Sequence, residues 1–210
     1  MKTAAIGVSV HSGWGAVVAI AGAQGKEEVL LRRRLVIIDS KMSGAAQPYH
    51  YVVKKEIHTA ETYLNRCVAE SGQLAFKSFT RISAELHEEG FMLKAAVVLL
   101  SSARPLPNLE AILSSHALIH TAEGEFFRQV FRGAFEQMNI PVTGIRTCDL
   151  NGRALKTFAK VAPDIQKRID GMGRSLGPPW TKDEKVAALA AAIVLAAEHS
   201  KNHAIHVSCE

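Results

Sequence analysis

His116, His120 and Glu123 stand at intervals of four and three residues, and in a helix that spacing stacks all three on one face. Imidazole and carboxylate groups on successive turns can hold zinc, manganese or magnesium once a second element adds ligands. Asp183 and Glu184 are adjacent carboxylates placed to complete such a shell. Arg128 follows in the same helical segment and could stabilise negative charge developing in a hydrolytic reaction, so Glu123, Arg128 and Glu184 are the candidate catalytic groups. The same residues also fit a plainer role, histidines on an apolar helix stripe and a Glu–Arg ion pair. Gly124 costs a helix about 1 kcal/mol relative to alanine, which points to a backbone or a ligand packed against that turn.

A second dense stretch covers residues 177–185, where a Gly-Pro-Pro turn presents Trp180 just ahead of a helix start, with Lys182 and Lys185 beside it. An aromatic ring and two ammonium groups at a helix N-terminus suit a base and a phosphate. They also suit a hydrophobic staple, with Asp183 and Glu184 placed where the helix dipole favours acids. The chain has no glycine-rich phosphate loop and no Gly-x-Ser-x-Gly elbow, and Cys67 and Cys148 lack a readable histidine partner.

Those residues must be positioned by a chain of 210 residues, 48% hydrophobic and 21% charged, which is enough for one well-formed core. No apolar run approaches the about 18 residues that a membrane span needs. The first residues do not resemble a secretion signal, so a cytoplasmic protein with no membrane partner is expected. Three cysteines with no close pair offer neither a disulfide framework nor a zinc ribbon. A net charge of +5 favours polyanionic partners, although so small a surplus is common in proteins that never meet nucleic acid.

Residues 4–10, 15–21 and 28–39 read as a three-strand antiparallel meander. Residues 43–51, with His50 among Gly, Gln, Pro and Tyr, read as an irregular loop. A helix follows over 60–89, with Gly72 a candidate kink, and the apolar run 93–100 fits a central strand buried on both faces. Asn108 caps a long helix to about 138, residues 141–147 form a strand, Asn151 opens another helical region, and Thr181 caps a last, alanine-rich helix. Helices between the later strands demand parallel crossovers, so an α/β fold is expected: a mixed five-stranded sheet, three strands antiparallel and the rest alternating with helices, with helices on both faces. One domain is expected over 1–198 with a tail over 199–210. The alanine-rich helix over 186–197 lacks a polar face and is either buried in the monomer or the contact of a homodimer.

This order, with Ile6-Gly7-Val8-Ser9-Val10-His11-Ser12-Gly13 in the first strand and turn and Asp183-Glu184-Lys185-Val186-Ala187-Ala188-Leu189-Ala190 in the last helix, resembles the ribonuclease H-like superfamily and its Holliday-junction resolvase branch. The resemblance implies clustered carboxylates that hold two divalent ions. Here Ser9 stands where the first aspartate is expected, residues 97–102 offer no acid, Ala187 occupies one final acidic position, and Glu184 alone falls on a matching carboxylate. One carboxylate cannot hold two hard cations. Three functions remain open: a resolvase-like protein without the standard carboxylates that binds nucleic acid, a metal-dependent phosphodiesterase or other hydrolase built on His116, His120 and Glu123, and a protein-interaction module using Trp180.

Overall fold

The computed structural model describes residues 1–101 and 105–207, with side chains through residue 200. Strands β1 (Lys2–His11), β2 (Trp14–Ala21) and β3 (Glu28–Val36) form the antiparallel meander, and β4 (Phe91–Leu100) and β5 (Val142–Arg146) add in parallel beside β1. The sheet order is β3-β2-β1-β4-β5. The helices are α1 (Pro48–Val52), α2 (Ile57–Glu88), α3 (Leu109–Leu113), α4 (His116–Gln137), α5 (Leu150–Phe158), α6 (Ala162–Gly171), α7 (Gly173–Leu176) and α8 (Lys182–Val207). The expected α/β order and mixed five-stranded sheet are observed.

Side chains alternate across a strand, and that alternation divides the core in two. Ala5, Val18, Ile20, Val97 and Leu99 face α5, α6 and α8. Ile6, Val8, Val17, Ala19 and Val98 face the opposite layer, where Phe79 of α2 meets Phe127, Phe131 and Phe135 of α4. Helix α8 crosses β1, β2 and β4 at very short range. A Cβ on Gly7 would lie 2.0 Å from the Ala187 carbonyl oxygen, so glycine on the strand and alanine on the helix are what allow this approach. Residues Ala187 to Leu195 are all buried. Ala187, Ala188, Ala190, Ala191 and Ala192 are therefore covered within the chain, whereas Ala196 is half-buried and Ala197 exposed. The division expected after residue 198 falls inside this helix.

Three expectations of local structure need correction. Residues 43–51 are not wholly irregular, because Pro48 occupies the first turn of α1, where its missing N–H costs nothing. Gly72 leaves α2 unbroken. The helix expected from Asn108 to 138 is two helices: the Asn108 side chain accepts from Ala111 N to start the five-residue α3, and extended Ser115 (φ −132°, ψ 115°) restarts the chain as α4 at His116. No described helix is long and apolar enough to cross a membrane.

Candidate metal centre

His116 is the first residue of α4 and His120 lies one turn later, both exposed, with ring centroids 4.4 Å apart. A third imidazole joins them from α1: His50 lies 4.7 Å from His120 and 5.8 Å from His116, centroid to centroid. One ring nitrogen of each histidine falls within 4.8 Å of the other two. A tetrahedral ion with Zn–N bonds of about 2.0 Å needs these nitrogens about 3.3 Å apart. Two of the three rings, His116 and His120, are exposed.

Glu123 lies one turn beyond His120 and is 3% exposed. Its Oε2 accepts from the Tyr49 backbone N–H at 2.9 Å, and its Oε1 lies 3.3 Å from His50 Nδ1. Tyr49 N is one of the free N–H groups of the first turn of α1, which Gln47 leaves without a side-chain cap. Glu123 therefore docks α1 onto α4 and orients His50 in one stroke. An ionised Glu123 can only accept, and with it His50 would carry its proton on Nδ1 and leave Nε2 open. A carboxylate behind a ligating imidazole is the usual outer partner of a metal-bound histidine. Burial pushes the Glu123 carboxyl above its ordinary range, against the lowering effects of Tyr49 N–H and His50. A cation at the three imidazoles would act in the direction that relieves this desolvation.

Glu123 is expected as a ligand, and here its two oxygens are engaged by Tyr49 N–H and His50. Asp183 and Glu184, expected to close the shell, do not lie with the histidines. They open α8, across the sheet from α4. Glu184 accepts from Thr181 N at 2.8 Å and from Thr181 Oγ1 at 2.6 Å, while Asp183 N donates to Thr181 Oγ1 at 3.3 Å. That is a capping box, signalled by the Thr-x-x-Glu spacing. Asp183 turns back to β1, where Ser9 Oγ donates to its Oδ1 at 2.9 Å and His11 Nε2 approaches its Oδ2 at 3.0 Å. His11 stacks on Trp14 at 4.1 Å, and the Arg34 guanidinium lies 3.6 Å from the Trp14 ring.

No family model matches the chain, and no curated protein matches it. Among solved structures, RuvC of Thermus thermophilus in complex with a Holliday junction substrate superimposes with a TM-score of 0.50 at 10% identity, covering 94% of this chain and 96% of that one. The chain has a ribonuclease H-like fold. A second Thermus thermophilus RuvC structure gives 0.49 at 10% identity over the same shares. An Aquifex aeolicus member of the Ppx/GppA family gives 0.34 at 15% identity, over 75% of this chain and 38% of that one.

In this fold the carboxylate facing Ser9 is Asp183, whereas the sequence alone pointed to Glu184. The partners of Asp183 are a hydroxyl and an imidazole, not further acids. Trp180 is half-buried, packs against the α8-side core and donates from Nε1 to Ile169 O at 2.8 Å, so it fixes the turn as a staple does. Lys185 approaches Asp170 at 3.5 Å, and Lys182 is exposed. Arg32 secures the same turn, its guanidinium donating to the carbonyls of Leu176 at 2.7 Å, Gly177 at 2.6 Å, Pro178 at 3.1 Å and Pro179. The candidate ligand that sequence reasoning missed is His50, whose local signal is Pro48 as a helix-opening residue two positions earlier.

Proposed function

We propose that the protein is a metal-dependent hydrolase whose ion, zinc by the chemistry of the donors, is held by His50, His116 and His120. The observation that carries this reading is the buried Glu123 carboxylate bonded at once to Tyr49 N–H and His50 Nδ1. A glutamate 3% exposed is costly unless it does something with its charge, and here it fixes the tautomer and direction of a ligating ring. Three neutral imidazoles favour zinc, copper, nickel or iron over magnesium, which prefers oxygen. Three protein ligands leave a fourth position for water, and an ion so bound supplies a nucleophile near neutral pH and polarises the bond to be cut. The exposure of His116 and His120 gives a substrate access to that position.

The test is elemental analysis of the purified, untagged chain, with His120→Ala beside it. One zinc per chain, lost in the variant without loss of fold, is expected. A wild-type chain that takes up no divalent ion overturns the reading.

A nucleic-acid partner is the second reading. It is supported by the fold shared with a protein whose solved structure contains a Holliday junction, and by the surplus of five positive charges. Binding of branched DNA that falls steeply with salt supports it, and indifference to DNA at low salt overturns it. A cytoplasmic location agrees with the free thiols of Cys67 and Cys148.

A further inference from the structure

Gly124 sits inside α4, one turn after His120 and one turn before Arg128. A Cβ there would meet Arg128 Nη1 at 2.7 Å and Cζ at 3.6 Å, so the guanidinium lies against the helix at the level of Gly124. Helical side chains lean toward the N-terminus. Arg128 therefore reaches back along the row His120, Gly124, Arg128, and the missing Cβ clears its path. Neighbours in such a row stand about 6 Å apart, so the guanidinium ends one turn from a proposed ligand.

This cation has no counterion among the described residues. Its Nε is buried and bonded to nothing, and no carboxylate lies within ion-pair distance of it. Burial lowers its pKa, with the field of Glu125 opposing. A guanidinium whose Nε is buried without a partner is costly until an anion meets it.

We propose that Arg128 and the three-histidine centre form one binding site for the phosphoryl group of a phosphate monoester. The proposal rests on the metal reading of His50, His116 and His120. A monoester has three terminal oxygens, one for the ion and two for the bidentate fork of the arginine, whereas a carboxylate has only two in all. In the reaction a water oxygen forms the new P–O bond and the ester P–O bond breaks with its electron pair on the leaving oxygen. That oxygen takes the proton the water gives up, leaving an alcohol and inorganic phosphate.

Inorganic phosphate is titrated calorimetrically into the zinc-loaded full chain and into Arg128→Met, Arg128→Lys and Gly124→Ala. Arg128→Met weakens phosphate about 10- to 100-fold, the range for charge-assisted hydrogen bonds, with zinc stoichiometry unchanged. Arg128→Lys keeps the charge without the fork and falls between. Gly124→Ala, which suits a helix and keeps the arginine, loses phosphate affinity because the new methyl group displaces the guanidinium. Phosphate affinity equal to wild type in both Arg128→Met and Gly124→Ala overturns the proposal while the metal reading stands, as does a zinc-loaded wild type indifferent to millimolar phosphate. A wild type that takes up no zinc overturns the metal reading itself, and this proposal with it.

Discussion

Replacing Glu123 by glutamine changes one atom and should undo the metal centre from behind. The carboxylate accepts twice, from Tyr49 N–H and from His50 Nδ1, whereas an amide accepts once and donates from its other arm. Leaving Tyr49 N–H unpaired in a buried place costs about 1–3 kcal/mol, so the glutamine oxygen stays there and its NH2 faces His50. His50 must then accept at Nδ1, which moves the ring proton to Nε2, the atom the metal needs. Loss of an outer partner of this kind lowers metal affinity about 10- to 100-fold, or about 1.4–2.7 kcal/mol. Competition with a chromophoric chelator reads this directly, with a thermal melt to show that α1 remains docked. Zinc affinity within twofold of wild type would refute the reasoning. The metal-free protein carries a second sign of the same residue. A carboxyl raised above its ordinary 4.5 by burial supports folding while protonated and loses that contribution as pH rises through its folded-state value. The melting temperature of metal-free wild type should therefore fall relative to Glu123→Gln as pH climbs above 4.5.

Three other variants separate structure from function. Gly7→Ala drives a Cβ to 2.0 Å from a backbone oxygen of α8 and should cost more than about 3 kcal/mol, seen as loss of soluble protein or a collapse in the denaturation midpoint. Glu184→Ala removes the capping box and should cost about 1 kcal/mol while zinc content stays at wild-type level; a loss of zinc would instead return Glu184 to the metal shell. Arg32→Ala strips four carbonyls of their donor and should lower stability by about 2 kcal/mol, read as a shifted urea midpoint with unchanged phosphate binding.

The fold was legible because each strand is marked by its own turn residues, and the crossovers follow from helices placed between strands. Half of the candidate site was legible for the same reason. His116, His120 and Glu123 share a helix, and local spacing is what periodicity reports. His50 comes from a five-residue helix 66 positions earlier, and its approach to His120 depends on how α1 docks, a contact with no local pattern. The surroundings of Glu123 and Glu184 were not legible for a different reason: a carboxylate that caps, a carboxylate that orients a ring and a carboxylate that ligates are identical in sequence. For Glu184 the Thr181-x-x-Glu184 spacing was the available signal. For Glu123 only the position of Tyr49 N–H distinguishes the roles. Arg128 as a candidate catalytic group and Gly124 as a costly helix residue are both legible in sequence, but that the glycine makes room for the arginine is a fact about side-chain direction.

The most direct measurement is anomalous diffraction at the zinc edge from crystals of the metal-loaded chain. One strong peak is expected about 2.0 Å from a ring nitrogen of each of His50, His116 and His120, with Glu123 behind His50 and outside the shell. A zinc ion bound elsewhere, at Asp183 for example, with the three imidazoles empty, would contradict it.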